Sequence, residues 1–137
     1  MTFGKKRIIL KLKSMNNEYE LLRFCNKLNT SVIGGASKLF KYFVDNFYPE
    51  NIISYASCDI SSGNLYEKLK FMKQKHTGLN YWWASDRRYH RSNFMKYKLV
   101  EEGADPTKTA EEILRNKKYL KIYGSGNLKY EWKKESL

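Results

Sequence analysis

From Ile8 to Lys13, β-branched and apolar residues run into a Leu/Lys alternation, the two-residue period of a half-buried strand. Asn16-Asn17 signals a turn. Tyr19 to Cys25 offers a second strand, with Tyr19, Leu21 or Leu22, and Phe24 for a core. Asn26 to Thr30 is polar and reads as a loop. The period changes after Val32-Ile33-Gly34-Gly35-Ala36-Ser37. Leu39, Phe40, Phe43, Val44 and Phe47 recur at helical spacing, while Lys38, Lys41, Asp45 and Asn46 take the opposite face. Pro49 ends this helix, since it cannot donate to the ladder. Asn51 to Tyr55 is the next strand. Strand, helix and strand together predict a βαβ unit, whose two strands run parallel.

Beyond it, Ser61-Ser62-Gly63-Asn64 supplies capping chemistry for a short helix over Leu65–Phe71. Tyr81, Trp82 and Trp83 mark a strand over Asn80–Ala84. Asp86–Lys98 is the most basic stretch, and Glu101–Pro106 reads as a linker. Thr109 followed by Glu112 is a capping box that starts a helix running to Asn116. Tyr119–Tyr123 and Leu128–Trp132, either side of Gly124-Ser125-Gly126-Asn127, predict a β-hairpin. The expected architecture is α+β: a mixed sheet with a βαβ core, then a C-terminal helix and hairpin. It forms a single domain over 1–137, divided into a core (1–86) and a basic segment with helix and hairpin (87–137).

Composition supports a packed core. The 137 residues are 42% hydrophobic and 15% aromatic, with eleven Tyr, seven Phe and three Trp. A chain of this length can bury enough surface to fold without staples. Charge changes the picture further: 26 Lys and Arg against 14 Asp and Glu give a formal net charge of +12. That excess favours polyanions, nucleic acid first and an anionic membrane surface second. Cys25 and Cys58 form no disulfide framework and no metal-like spacing, which points to a reducing compartment. No apolar run approaches a membrane span, and the N-terminus lacks a signal-peptide pattern. The expectation is a cytoplasmic protein without a membrane partner.

Two segments offer chemistry. In Gly34-Gly35-Ala36-Ser37, small residues directly after a strand and at the mouth of a helix let a phosphate approach backbone N–H groups; two glycines there can equally just turn the chain. Arg87-Arg88-Tyr89-His90-Arg91, with Phe94, Lys96, Tyr97 and Lys98, combines guanidiniums suited to phosphates with aromatics suited to bases. Nuclease chemistry is poorly represented. His76 and His90 are the only histidines and share no ligand spacing, and no metal site is expected. His90-Arg91-Ser92-Asn93 offers only a fragment of an HNH element. Asp59, Glu67 and Lys68 lack the strands that would anchor a carboxylate–carboxylate–lysine centre.

Several stretches together resemble the C-terminal domain of phage and mobile-element homing endonucleases whose separate N-terminal nuclease domain is Vsr-like, of the EDxHD type. They are Met1–Arg7, Tyr19–Lys27, Gly34–Leu39, Ile53–Ala56, Gly63–Leu69, Arg88–Arg91 with Phe94 and Lys96, and Ile122–Asn127. The same core resembles acyltransferases of the GNAT class, including Mom-type enzymes that modify DNA bases. That resemblance implies acetyl-CoA as cofactor, its pyrophosphate held at Gly34, Gly35, Ala36, Ser37 and Lys38, with Tyr66 as general acid. It also implies an N-terminally truncated GNAT-like fold, because Met1 matches an internal methionine, and no nuclease domain. The chain departs from the pattern at Ser57, Gly124 and Ser125, and at Lys70, where relatives carry glycine.

Two functions are therefore expected to compete, which leaves open whether the protein is an enzyme. The first is DNA binding, with Arg87, Arg88, Arg91, Lys96 and Lys98 on phosphates and His90, Tyr89 and Tyr97 near bases. The second is acyl transfer to a nucleobase or protein amine. A protein that only docks on a partner is a third reading, and a homodimer would be one way to replace the missing elements.

Overall fold

The computed structural model describes residues 1–6 and 17–134, so the strand expected at Ile8–Lys13 lies outside the described residues. Contacts gather the chain into two compact units, Met1–Thr77 with Gly126–Leu137, and Gly78–Ser125. The units part at residue 78, whereas the sequence reading divides the chain after residue 86. The architecture is α+β with a mixed sheet, as expected.

The first unit is built on a five-stranded sheet. Its strands are β1 (Thr2–Lys5), β2 (Glu18–Arg23), β3 (Asn51–Ser57), β8 (Asn127–Lys133) and β4 (Met72–His76), in the order β1-β2-β3-β8-β4. The predicted βαβ unit is present: β2 and β3 pair in parallel, with Tyr19 opposite Ile52, and α1 (Gly35–Phe47) connects them. Helix α1 forms because Phe40 and Phe43 can be buried together on the sheet. Phe43 stacks on Phe3 with ring centroids 3.6 Å apart, and Phe40 meets Trp132 edge-on at 5.6 Å. Leu39 and Phe47, read as core positions, are about half exposed. The helix stops at Tyr48, which turns left-handed and donates its N–H to Val44 O, just before buried Pro49. The core closes over Leu21, Ile52, Ala56, Leu69, Phe71 and Tyr130. Burying each large apolar side chain contributes about 1.5–3 kcal/mol.

The second unit is a three-stranded antiparallel sheet with two short helices on one face. Strands β5 (Tyr81–Ala84), β6 (Arg88–His90) and β7 (Leu120–Tyr123) lie in the order β6-β5-β7. A 3-10 turn at Arg91–Phe94 leads into α3 (Lys96–Glu101), and α4 (Ala110–Asn116) follows. Trp83, Leu99, Ile113 and Leu114 make the core, with Tyr81, Phe94 and Tyr119 against it. The capping box is formed as read: Thr109 Oγ1 accepts from Glu112 N–H at 3.2 Å, and Glu112 Oε2 accepts from Thr109 N–H at 2.7 Å.

Two expectations are corrected. The C-terminal segment is not a hairpin: β7 pairs with β5 in one sheet, while β8 pairs with β3 and β4 in the other. The glycine pair does not directly follow a strand, because β2 ends at Arg23 and irregular chain occupies residues 24–34. The turn residues at 124–126 connect two sheets instead of closing one. Strands β1, β4 and β6 and helix α3 were not anticipated.

Candidate nucleic-acid interface

The basic stretch is carried by β6 and the turn after it. Antiparallel β5 and β6 are joined by Ser85-Asp86-Arg87, where Asp86 accepts hydrogen bonds from Ser85 Oγ at 2.7 Å and from the Tyr89 hydroxyl at 2.8 Å. These bonds hold the Asp86 carboxyl below its usual range, Ser85 contributing most. Strand alternation then sorts the arginines. Arg87, Tyr89 and Arg91 share one parity, and Arg88 and His90 the other.

Each guanidinium rests on a ring. Arg87 lies over Tyr89 at 5.0 Å, Arg88 over Trp82 at 4.9 Å, and Arg91 over Tyr81 at 5.7 Å. Such contacts restrain a long side chain without neutralising it, so its N–H groups can still meet an anion. Arg87 is held firmly cationic, chiefly by Tyr89 and then by Asp86. His90 caps the 3-10 turn: its Nδ1 accepts from the Ser92 N–H at 3.2 Å and lies 2.7 Å from Ser92 Oγ. Lys98 is partly committed to structure, donating to Ser92 O at 2.9 Å, while Lys96 at the start of α3 is exposed.

The structure therefore brings Arg88 and His90 together on the open face of the three-stranded sheet and sets Arg87 and Arg91 on the other side of the same edge strand. Sequence reading missed the partners on the open face. They are Trp82 at its centre, with Leu120 and Ile122 of β7; Trp82 pairs across to both His90 and Ile122, and Ala84 to both Arg88 and Leu120. Lys121, also missed, is a structural cation on the helix-covered side. It pairs with Glu111 at 3.0 Å, lies 4.4 Å from the Tyr81 ring centre, and is held more basic than usual mainly by Glu111.

The expected phosphate turn lies in the first unit. Gly34 caps α1 at φ 70°, a left-handed conformation that favours glycine, and no side chain caps the helix. A cavity of about 320 Å³ opens there, lined in part by Gly34, Gly35, Ala36, Ser37, Asn64 and Lys68. Lys38 and Tyr66 do not line it. Tyr66 stacks on Tyr130 at 4.7 Å, and its hydroxyl lies 3.0 Å from Ser54 Oγ. Ser54 donates its one proton to Leu21 O at 2.7 Å, so it receives the phenolic proton.

His76 on β4 and His90 on β6 belong to different units, and Glu67 and Lys68 sit side by side on the exposed surface of α2 (Asn64–Lys68). Among the described residues, no group of three His, Cys, Asp or Glu is placed to hold a metal ion. Nor is any helix among them long and apolar enough to cross a membrane. Comparison with known proteins finds no matching family model and no matching curated protein.

Proposed function

We propose that the protein is a DNA-binding module, with the β6 edge of its second unit as the contact surface. The observation that carries this reading is the set Arg87, Arg88 and Arg91 on one short edge strand and its ends, each guanidinium held over an aromatic ring. Restrained, charged and peripheral, these groups suit phosphates, with Lys96 extending the track. Phosphate contacts give affinity and register; they do not read sequence. The resemblance to the non-nuclease domain of phage and mobile-element homing endonucleases points to the same ligand.

Fluorescence anisotropy with a labelled DNA, titrated across a salt series, tests this directly. With on the order of six phosphate contacts, affinity falls about a thousandfold between about 50 and 200 mM salt. Absence of binding at the low-salt end removes the proposal.

The cavity at Gly34–Ser37 favours a second reading, acyl-CoA binding with transfer to an amine. The Tyr66 hydroxyl meets Ser54 and its ring stacks on Tyr130, so in this reading its role as acid requires the side chain to leave its stacked position. Calorimetric titration with acetyl-CoA separates the two readings, since the DNA module requires no such binding.

A further inference from the structure

We infer that the open face of the three-stranded sheet takes unpaired bases, so that the preferred ligand is single-stranded DNA and Trp82 is its stacking platform. This rests on the DNA-binding reading and specifies the form of the DNA. Helices α3 and α4 pack against Trp83, leaving the opposite face of the sheet without a covering element from its own unit. Two cross-strand rows make up that face: His90–Trp82–Ile122 and Arg88–Ala84–Leu120. Directly paired residues on one face of a sheet lie side by side, about 5 Å apart. The rows therefore form a flat patch that is apolar at the centre and on the β7 side, with the Arg88 guanidinium and the His90 ring on the β6 side.

Exposure bears this out. Leu120 is 71% exposed and Ile122 45%, and Trp82 is only half-buried although Arg88 lies on its ring. Ala84, the one small residue, leaves space between Arg88 and Leu120. A duplex has little to offer such a surface, because its base faces are stacked inside and its exterior is phosphate and groove edge. Apolar side chains pressed against phosphates would remove hydration without replacing it. An unpaired strand offers both halves of the match. Its bases present apolar π-faces to Trp82, Ile122 and Leu120, and its backbone lies along Arg88 and the β6 edge. Charge complementarity selects this occupant over a second copy of the chain, whose own net charge is also +12.

The closing experiment measures anisotropy with a labelled oligonucleotide of about twelve nucleotides, as a single strand and as the matching duplex. The wild-type protein is expected to bind the single strand at least about tenfold more tightly. Trp82→Ala is expected to weaken that binding about tenfold, with Trp82→Phe intermediate and duplex affinity little changed. A photocross-link in the wild-type protein removes any question of folding: a strand substituted with 5-bromouracil should attach at Trp82. Equal affinity for the two forms, or cross-links only outside β5–β7, overturns this inference while leaving DNA binding intact. No binding of either form overturns both.

Discussion

Tyr130 occupies the space that a side chain at Gly63 would need. A Cβ added to Gly63 would lie 2.8 Å from Tyr130 Cζ and closer still to its hydroxyl oxygen, while Gly63 itself caps α2 at φ 80°. Tyr130 is 1% exposed and cannot move aside without opening the core of the first unit.

Gly63→Ala is therefore expected to destabilise the first unit through two effects. Overpacking costs about 1–3 kcal/mol and the left-handed backbone about 1–2 more. Gly34→Ala serves as the control, since Gly34 is also left-handed but has nothing within 4 Å of an added Cβ. Urea denaturation should show a clearly lower midpoint for Gly63→Ala than for Gly34→Ala. Adding Tyr130→Phe should recover part of the difference, because it removes the nearest atom. Equal losses at both glycines would show that packing plays no part.

Two lysines hold helix-terminating positions that suit glycine. At the end of α2, Lys70 has φ 62°, and the Phe71 N–H donates back to Tyr66 O at 2.9 Å. At the end of α4, Lys118 has φ 63°, and the Tyr119 N–H donates to Leu114 O at 2.9 Å. Helix α3 ends the same way with Gly103 at φ 91°, without the Cβ penalty. Lys70→Gly and Lys118→Gly should each raise stability by about 1 kcal/mol, the residual after glycine's extra entropy loss. Thermal unfolding monitored by circular dichroism would register the gain; a loss at both sites would show that the lysine side chains support these ends.

These lysines also explain part of what the sequence concealed. A helix end is legible when glycine marks it, and with Lys70 in that place the helix reads through to Phe71, although α2 ends at Lys68. Helix α1 was legible because Phe40 and Phe43 repeat at its period and Pro49 stops it. Helix α4 was legible because its capping box is local chemistry. Strand β4 was not: Met72–His76 is an edge strand exposed throughout, with no buried face to impose alternation. The C-terminal turn was misread because Gly124-Ser125-Gly126-Asn127 suits a hairpin and a connector equally well, and only pairing with β5 or β3 decides. The interface suffered in a similar way. Arg88 and His90 stood out by charge, but adjacent Trp82 and Trp83 look alike until the sheet's parity buries one and presents the other.

That parity makes the arginines separable by experiment. Arg87, Arg88 and Arg91 each meeting a phosphate predicts that any single change to alanine weakens DNA binding and lowers the salt slope by about one. Arg88→Ala should do more, since Arg88 alone of the three lies on the open face beside Trp82. Lys98→Met is expected to have a mixed effect, because Lys98 ties the 3-10 turn through Ser92 O. Plots of log affinity against log salt would check this. An unchanged slope for all three arginine variants would move the DNA contact elsewhere on the chain.

Acid should weaken the second unit, and alkali should weaken the first. In the second unit, Asp86, Asp105, Glu111 and Glu112 are all held below their ordinary values. The leading causes are hydrogen bonds from Ser85, from Thr107, from Lys121 and from the Thr109 backbone, respectively. A depressed carboxylate stabilises the fold above its unfolded value and loses that contribution as pH falls toward the folded one. For the two glutamates the loss begins near the ordinary value of 4.5, and for the two aspartates near 3.8. In the first unit, burial raises the Tyr130 hydroxyl above its ordinary 10.0, so its unfolded form ionises first and stability falls as pH rises past that value. Trp132→Phe leaves Trp82 and Trp83 as reporters of the second unit alone. Their emission should show a urea midpoint that declines below about pH 4.5. Glu111→Gln with Glu112→Gln should flatten that decline, because neither amide titrates. On the alkaline side, Tyr130→Phe should remove the fall in the first unit's stability, read from the amide resonances of β3 and β8. An acid decline that persists unchanged in the double glutamine variant would assign the sensitivity to other groups.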